Sequence, residues 1–174
     1  MLEKQFDLTS QRLKLTSFRQ SDIDIIVELA NNYEIAKNLG RLPFPYKQSD
    51  AEFFLANIVT SEITWKVVLK GTQDMIGIIG LRPLVDDEIY ELGFWYGQGY
   101  WGFGYATEAA RAVIEYALRE MRLNKLTANY FVANENSGRV LEKLGFTKYG
   151  VSKALNMATG EMLETINLEL GMKA

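Results

Sequence analysis

The chain reads as an α+β domain: a central mixed, mostly antiparallel sheet of six to seven strands flanked by about four helices. Three observations predict it. Strand-like segments follow one another from Trp65 to Tyr96 with turn residues, not helices, between them. One long segment, Ala106 to Met121, repeats its apolar residues at intervals of three and four. Nothing in the 174 residues repeats or thins into a linker, so residues 1–174 are expected to form one domain with its own core.

The elements follow in order. Arg12 to Phe18 alternates, with Leu13 and Leu15 on one face, and makes the first strand. A helix opens at Ser21, with Asp24 as capping partner and Ile23, Ile26, Val27 and Ala30 as its apolar face. Pro43 and Pro45 interrupt the next stretch, and Ser49 with Glu52 caps a helix holding Phe53, Phe54 and Ile58. Trp65 to Lys70, Met75 to Leu81 and Ile89 to Tyr96 read as strands, parted by Gly71 to Asp74 and then by Pro83 and an Asp86–Asp87 turn. In the long helix Ala109, Ala110, Val113, Ile114 and Ala117 belong to one stripe. Leu126 to Val132 is a strand, and Ser137 to Leu144 is a short helix ended by Gly145. Strands at about Phe146 to Lys153 and Met162 to Leu170 follow.

Composition narrows the chemistry. The chain has no cysteine and no histidine. That removes a thiolate nucleophile, a Ser-His-Asp relay and the commonest metal ligands, and no metal is expected. Acid–base work falls to carboxylates, tyrosines, hydroxyls, lysines or water, which suits a reaction whose donor is already activated. A net charge of −3 and a pI near 5.2, without a basic stripe, argue against nucleic acid as the main ligand. No apolar run approaches bilayer length, and Met1 to Phe18 does not read as a secretory signal. A cytoplasmic location, away from membranes, is expected.

Glu91 to Ala110 carries the chemistry. A strand runs into Gly97, Gly99, Gly102 and Gly104 and then into the long helix. Glycines let the backbone approach a ligand, and the helix start offers unpaired N–H groups at the positive end of its dipole. Together they make a cradle for a phosphate or pyrophosphate. By spacing alone, a turn that needs glycine for its geometry reads equally well. No Lys-Ser or Lys-Thr pair follows, which excludes a Walker-type loop. Glu120 falls on the helix, and the unit sits past the middle of the chain, which argues against a dinucleotide fold.

The stretch Tyr100-Trp101-Gly102-Phe103-Gly104-Tyr105-Ala106-Thr107-Glu108-Ala109 resembles the acyl-CoA pyrophosphate loop of the GNAT N-acetyltransferases, in its RimJ/RimL-like, ribosomal-protein form. Asn134-Glu135-Asn136-Ser137, followed by Leu141-Glu142-Lys143-Leu144-Gly145-Phe146, is similar to a second signature of that branch. Thr9 to Leu15 and Ile76 to Leu81 match more loosely, so the resemblance covers nearly the whole chain in the expected order.

The resemblance implies the GNAT fold and direct transfer of an acetyl group from acetyl-CoA to an amine, without an acyl-enzyme. Backbone groups of Phe94, Trp95 and Tyr96 would pair with the pantetheine arm, and an N–H of that strand would stabilise the oxyanion. N–H groups of Trp101, Gly102, Phe103, Gly104, Tyr105 and Ala106 would hold the pyrophosphate. Asn134 would hydrogen-bond the pantetheine, and Ser137 would donate a proton to the departing thiolate. The sequence departs from the pattern at Gly99, where glutamine or arginine is frequent, and at Phe103, where lysine is frequent. Leu141 stands where many members carry a tyrosine acid, as is usual in this branch, so the acid role moves to Ser137.

Glu91 is the expected base. It sits in an apolar strand on the same side as Gly93 and Trp95; a solvent-facing or salt-bridged glutamate reads equally well. Glu161 and Glu164 are weaker candidates. Arg139 and Lys143 recur at helical spacing, as partners of a CoA phosphate or as a solvated face. Tyr33, Phe44 and Tyr46 lie where this family closes its acceptor cleft. Neutralising a lysine at pH 7 costs about 4.6 kcal/mol, against about 1 kcal/mol for a peptide α-amine. The reading therefore leans to a protein N-terminus. A small-molecule amine such as a polyamine or amino sugar, or a non-catalytic acyl-CoA-binding sensor, is the alternative. A homodimer is left open.

Overall fold

Alternating apolar segments draw eight strands into one sheet in this computed structural model, which describes residues 6–84 and 89–171. The strands are β1 (Leu8–Thr9), β2 (Leu13–Thr16), β3 (Ile63–Leu69), β4 (Met75–Pro83), β5 (Tyr90–Tyr96), β6 (Lys125–Phe131), β7 (Thr147–Asn156) and β8 (Glu161–Gly171). They lie in the order β1-β2-β3-β4-β5-β6-β8-β7. The extra strand beyond the expected six or seven is β1, a two-residue piece pairing Leu8 with Leu15, too short to leave an alternation signal. The expected Asp86–Asp87 turn lies outside the described residues.

Helices cover both faces. On one face α5 (Tyr105–Arg119) and α6 (Glu135–Lys143) pack through Ala109, Val113, Ala117 and Leu141 onto Leu13, Trp65, Leu92 and Leu126. On the other, α1 (Ile23–Ala30), the short α2 (Tyr33–Ala36) and a helical run of α3 (Gln48–Phe53), a π-helical turn (Phe54–Ile58) and α4 (Val59–Ser61) pack against Met75 and Ile78. Five successive residues of β4 are therefore buried, the pattern of a strand covered on both sides. No helix among the described residues is long and apolar enough to cross a membrane.

Three helix starts differ from the expectation, each for a hydrogen-bonding reason. Before α1, Asp22 accepts the Arg19 N–H at 2.6 Å, so a 3-10 turn with Arg19 at its cap replaces the box expected at Ser21. Asp50 accepts the Lys47 N–H at 2.7 Å and moves the α3 cap two residues ahead of Ser49. α6 begins at Glu135, not Ser137, because Asn134 is its cap. In the first two the carboxylate reaching back, not the hydroxyl, decides the boundary.

Every strand pair is antiparallel except β5 and β6, which α5 joins by a crossover and which therefore run parallel. Their register holds only at Tyr90↔Leu126 and Glu91↔Thr127. Past Glu91 the two strands part and the edge of β5 is open.

Candidate active site

The open edge of β5 has a definite set of backbone groups. Gly97 donates its N–H to the Ile76 carbonyl at 2.9 Å, and bonding in an antiparallel pair alternates along the strand. Glu91, Gly93 and Trp95 thus spend their backbone groups on β4, while Leu92 turns its towards β6 and Phe94 and Tyr96 aim theirs at the gap. By this register the Trp95 backbone groups face β4, which differs from the expectation for it, and Trp95 is among the residues lining the cleft. The Tyr96 carbonyl is also engaged, by the Trp101 indole N–H at 2.8 Å.

That edge is one wall of a cleft of about 560 Å3. Phe94, Trp95 and Tyr96 line it from β5, and Asn134, Ser137, Arg139 and Lys143 from α6. Its floor is the glycine loop and the start of α5, through Trp101, Gly102, Gly104, Tyr105 and Ala106. Phe103 alone of the expected loop residues does not line it, and it is 59% exposed. Gly102 and Gly104 take φ of 83° and 80°, values a side chain resists. Gly104 caps α5 without a side-chain acceptor, so the first-turn N–H groups remain open to an anion. An adjoining recess shares Glu34, Asn38, Trp101 and Asn136 and extends towards Thr159 and Leu163 near the β7–β8 turn.

Asn134 and Ser137 meet at this wall. The Ser137 N–H donates to the Asn134 side-chain carbonyl at 3.3 Å, which orients the amide. The amide NH2 then donates to Ser137 Oγ at 2.9 Å. Asn134 is thus a helix cap whose oxygen and one N–H are already used, and the serine proton is left to point elsewhere.

Glu91 stands apart. It is the last residue of β5 paired with β6, at the apex of the fork, and it is not among the residues lining the cleft. Arg82 donates to its Oε1 at 2.7 Å and Asn129 to its Oε2 at 2.7 Å, so the salt-bridged alternative describes its contacts. Glu161 and Glu164 sit opposite Asn156 and Lys153 on the β7–β8 hairpin and line neither the cleft nor the recess. Tyr33 and Phe44 form an edge-to-face pair at 5.4 Å, and Tyr46 is buried. The Tyr96 hydroxyl is buried without a hydrogen-bond partner, and burial, aided by the Glu108 charge, pushes its pKa far up, so it keeps its proton.

Sequence reasoning missed Thr107, Glu34 and Asn38 as lining residues. Thr107 continues the loop motif and was within reach of it. Glu34 and Asn38 belong to or follow a four-residue helix that leaves no periodic signal.

Residues 12–147 match the acetyltransferase (GNAT) domain family. This chain belongs to the GNAT acetyltransferases. It is similar to the N-acetyltransferase YoaA of Bacillus subtilis, 31% identical over 167 residues covering 91% of this chain and 92% of that one. The [ribosomal protein uS5]-alanine N-acetyltransferase of Escherichia coli is 32% identical over 91 residues, 51% of this chain and 47% of its own. Among solved structures, RimL, a ribosomal L7/L12 alpha-N-protein acetyltransferase in complex with coenzyme A, superposes with a TM-score of 0.84. The superposition spans 96% of this chain and 98% of that one at 15% identity, which shows the fold. These findings agree with the RimJ/RimL-like resemblance of the two motifs. The acetyltransferase is acetyl-CoA-dependent, and its residues fit that cosubstrate: open N–H groups for a pyrophosphate, a free strand edge for an amide-bearing arm, and a cleft joining them.

Proposed function

We propose that this acetyltransferase, a single catalytic domain over residues 1–174 working in the cytoplasm, moves the acetyl group to an α-amine at a protein N-terminus. The observation that carries the cosubstrate side is the open edge of β5 running into a positive-φ glycine loop at a helix start. Phe94 and Tyr96 offer their outward backbone groups to the pantetheine arm, and N–H groups of residues 101–106 receive the pyrophosphate. Acetyl-CoA supplies an acyl group already activated as a thioester, which suits a site without histidine. Ser137 donates a proton to the leaving thiolate. Glu91, outside the cleft lining and held by Arg82 and Asn129, takes the proton of the amine through water.

The lean to an α-amine comes from the proton cost: about 1 kcal/mol at pH 7 against about 4.6 kcal/mol for a lysine. The similarity to the uS5-alanine enzyme supports the same acceptor class. Two measurements test the reading. Calorimetric titration with acetyl-CoA should show one-to-one binding; no binding at millimolar cosubstrate sinks it. Thiol release should then be faster with short peptides bearing a free N-terminus than with polyamines or amino sugars, and the reverse order moves the acceptor to small molecules.

A further inference from the structure

The geometry points to Arg12 and Glu108 as a positioning pair that sets the conformation of the phosphate loop from behind, an inference resting on the loop being the acetyl-CoA cradle. Arg12 lies just ahead of β2, and Glu108 lies in the first turn of α5. The Arg12 Nε donates to Glu108 Oε2 at 2.7 Å, and its backbone N–H donates to Oε1 at 2.7 Å. Ser10 Oγ donates to the same Oε1 at 2.7 Å. A second guanidinium nitrogen donates to the Phe103 carbonyl at 3.0 Å. The guanidinium also lies 4.5 Å from the Tyr105 ring centroid, and that ring stacks on Phe103 at 5.7 Å. One side chain thus holds the loop, the ring that follows it and the helix start together. Neither Arg12 nor Glu108 lines the cleft.

The consequence follows from peptide planarity. In a trans peptide the C=O and the next N–H point in opposite directions. With the Phe103 carbonyl turned to Arg12, the Gly104 N–H is turned away from it, to the side where Gly104 borders the cleft. Glycine at 104 accepts either orientation of that peptide, so nothing intrinsic to the loop chooses one. Arg12 chooses it before the ligand arrives, which removes part of the ordering cost of binding. Glu108 holds Arg12 in place. Paired with Arg12, it does not face the anion as an uncompensated charge.

Charge and position are separated by three variants. Arg12→Lys keeps the charge but loses the fork that spans Glu108 and Phe103. Arg12→Ala removes the cation facing Glu108, whose Oε1 keeps the Ser10 hydroxyl and the residue-12 backbone N–H as donors. Arg12→Ala/Glu108→Gln removes both charges and still loses the hold on Phe103. Calorimetry with acetyl-CoA should show all three weakened about tenfold, the scale of one lost charge-assisted hydrogen bond. With a thermal melt confirming folded protein, turnover on acetyl-CoA should fall about tenfold more than turnover on acetyl-pantetheine, which lacks the pyrophosphate. Wild-type affinity in Arg12→Lys or in the double variant overturns the positioning role. Equal losses on both donors overturn it too, since a loop effect must vanish with the pyrophosphate. A wild-type chain that fails to bind acetyl-CoA overturns the cradle and this inference together; binding by wild type and variants alike overturns this inference alone.

Discussion

Asn134 donates to the oxygen of the Ser137 hydroxyl, and that bond decides what the serine can do. An oxygen already accepting from an amide keeps its proton for another partner, and Ser137 lines the cleft. Ser137→Ala should therefore lower kcat while leaving acetyl-CoA affinity unchanged. The expected loss is about tenfold, because a thiolate of pKa near 8.5 also takes protons from water. An unchanged kcat removes the serine from the chemistry. Glu91 poses a different question, since both its oxygens are engaged. If it takes the proton of the amine, Glu91→Gln should cut kcat/KM about tenfold at pH 7, and the loss should shrink as pH rises above the acceptor's own pKa. A loss that does not depend on pH leaves Glu91 as part of the Arg82–Asn129 staple only. The sequence pattern placed Glu91 on the face of Gly93 and Trp95, but only the fold brings Arg82 and Asn129 beside it. Strand alternation reports faces, never cross-strand partners.

At the scale of elements, the site depends on how α5 and α6 are seated. Burial pushes the Glu108 carboxyl up, yet the bonds from Ser10 and Arg12 outweigh it and hold the pKa below its ordinary 4.5. A carboxyl lowered by folding adds stability that is complete above the ordinary value and is lost as pH falls through the lowered one. Between about pH 5 and about pH 3 the melting temperature of wild type should thus drop further than that of Glu108→Gln. Parallel curves would show that this carboxyl does not stabilise the helix start. α6 is seated through Gly138, where an added Cβ would meet the Tyr130 ring at 2.6 Å. Gly138→Ala should cost about 1–3 kcal/mol in denaturant unfolding, as overpacking does, and should move the Ser137 wall away from β5. α5 and the loop before it were legible because an amphipathic stripe and four glycines are local signals. The start of α6 falls two residues before the expected Ser137, at Glu135, because Asn134 and Ser137 are both residue types that cap helices and only the closed hydrogen bond chooses between them.

Across the whole molecule, the sheet has two parts, β1–β5 and β6–β8, paired at only two positions. The mixed, mostly antiparallel character was readable from consecutive strands and one long crossover helix. The fork was not, because where two strands stop pairing depends on what α2, α5 and α6 place around them. A ligand in the cleft touches both parts at once, β5 and the loop on one side and α6 on the other. Only the folded chain has that cleft, so acetyl-CoA at 100 times its Kd should add about 2.7 kcal/mol. For a chain of this length that is a rise of roughly 5–10 °C in Tm, at about 2–4 °C per kcal/mol. The location of the effect is more informative than its size. If the cosubstrate bridges the fork, hydrogen exchange should slow in β5 and at the α6 start together, with β6 following through its pairing with β8. Protection confined to residues 101–107 would mean that the pyrophosphate binds while the arm stays outside the gap. In that case the open edge of β5 is a packing consequence of the crossover rather than a thioester site.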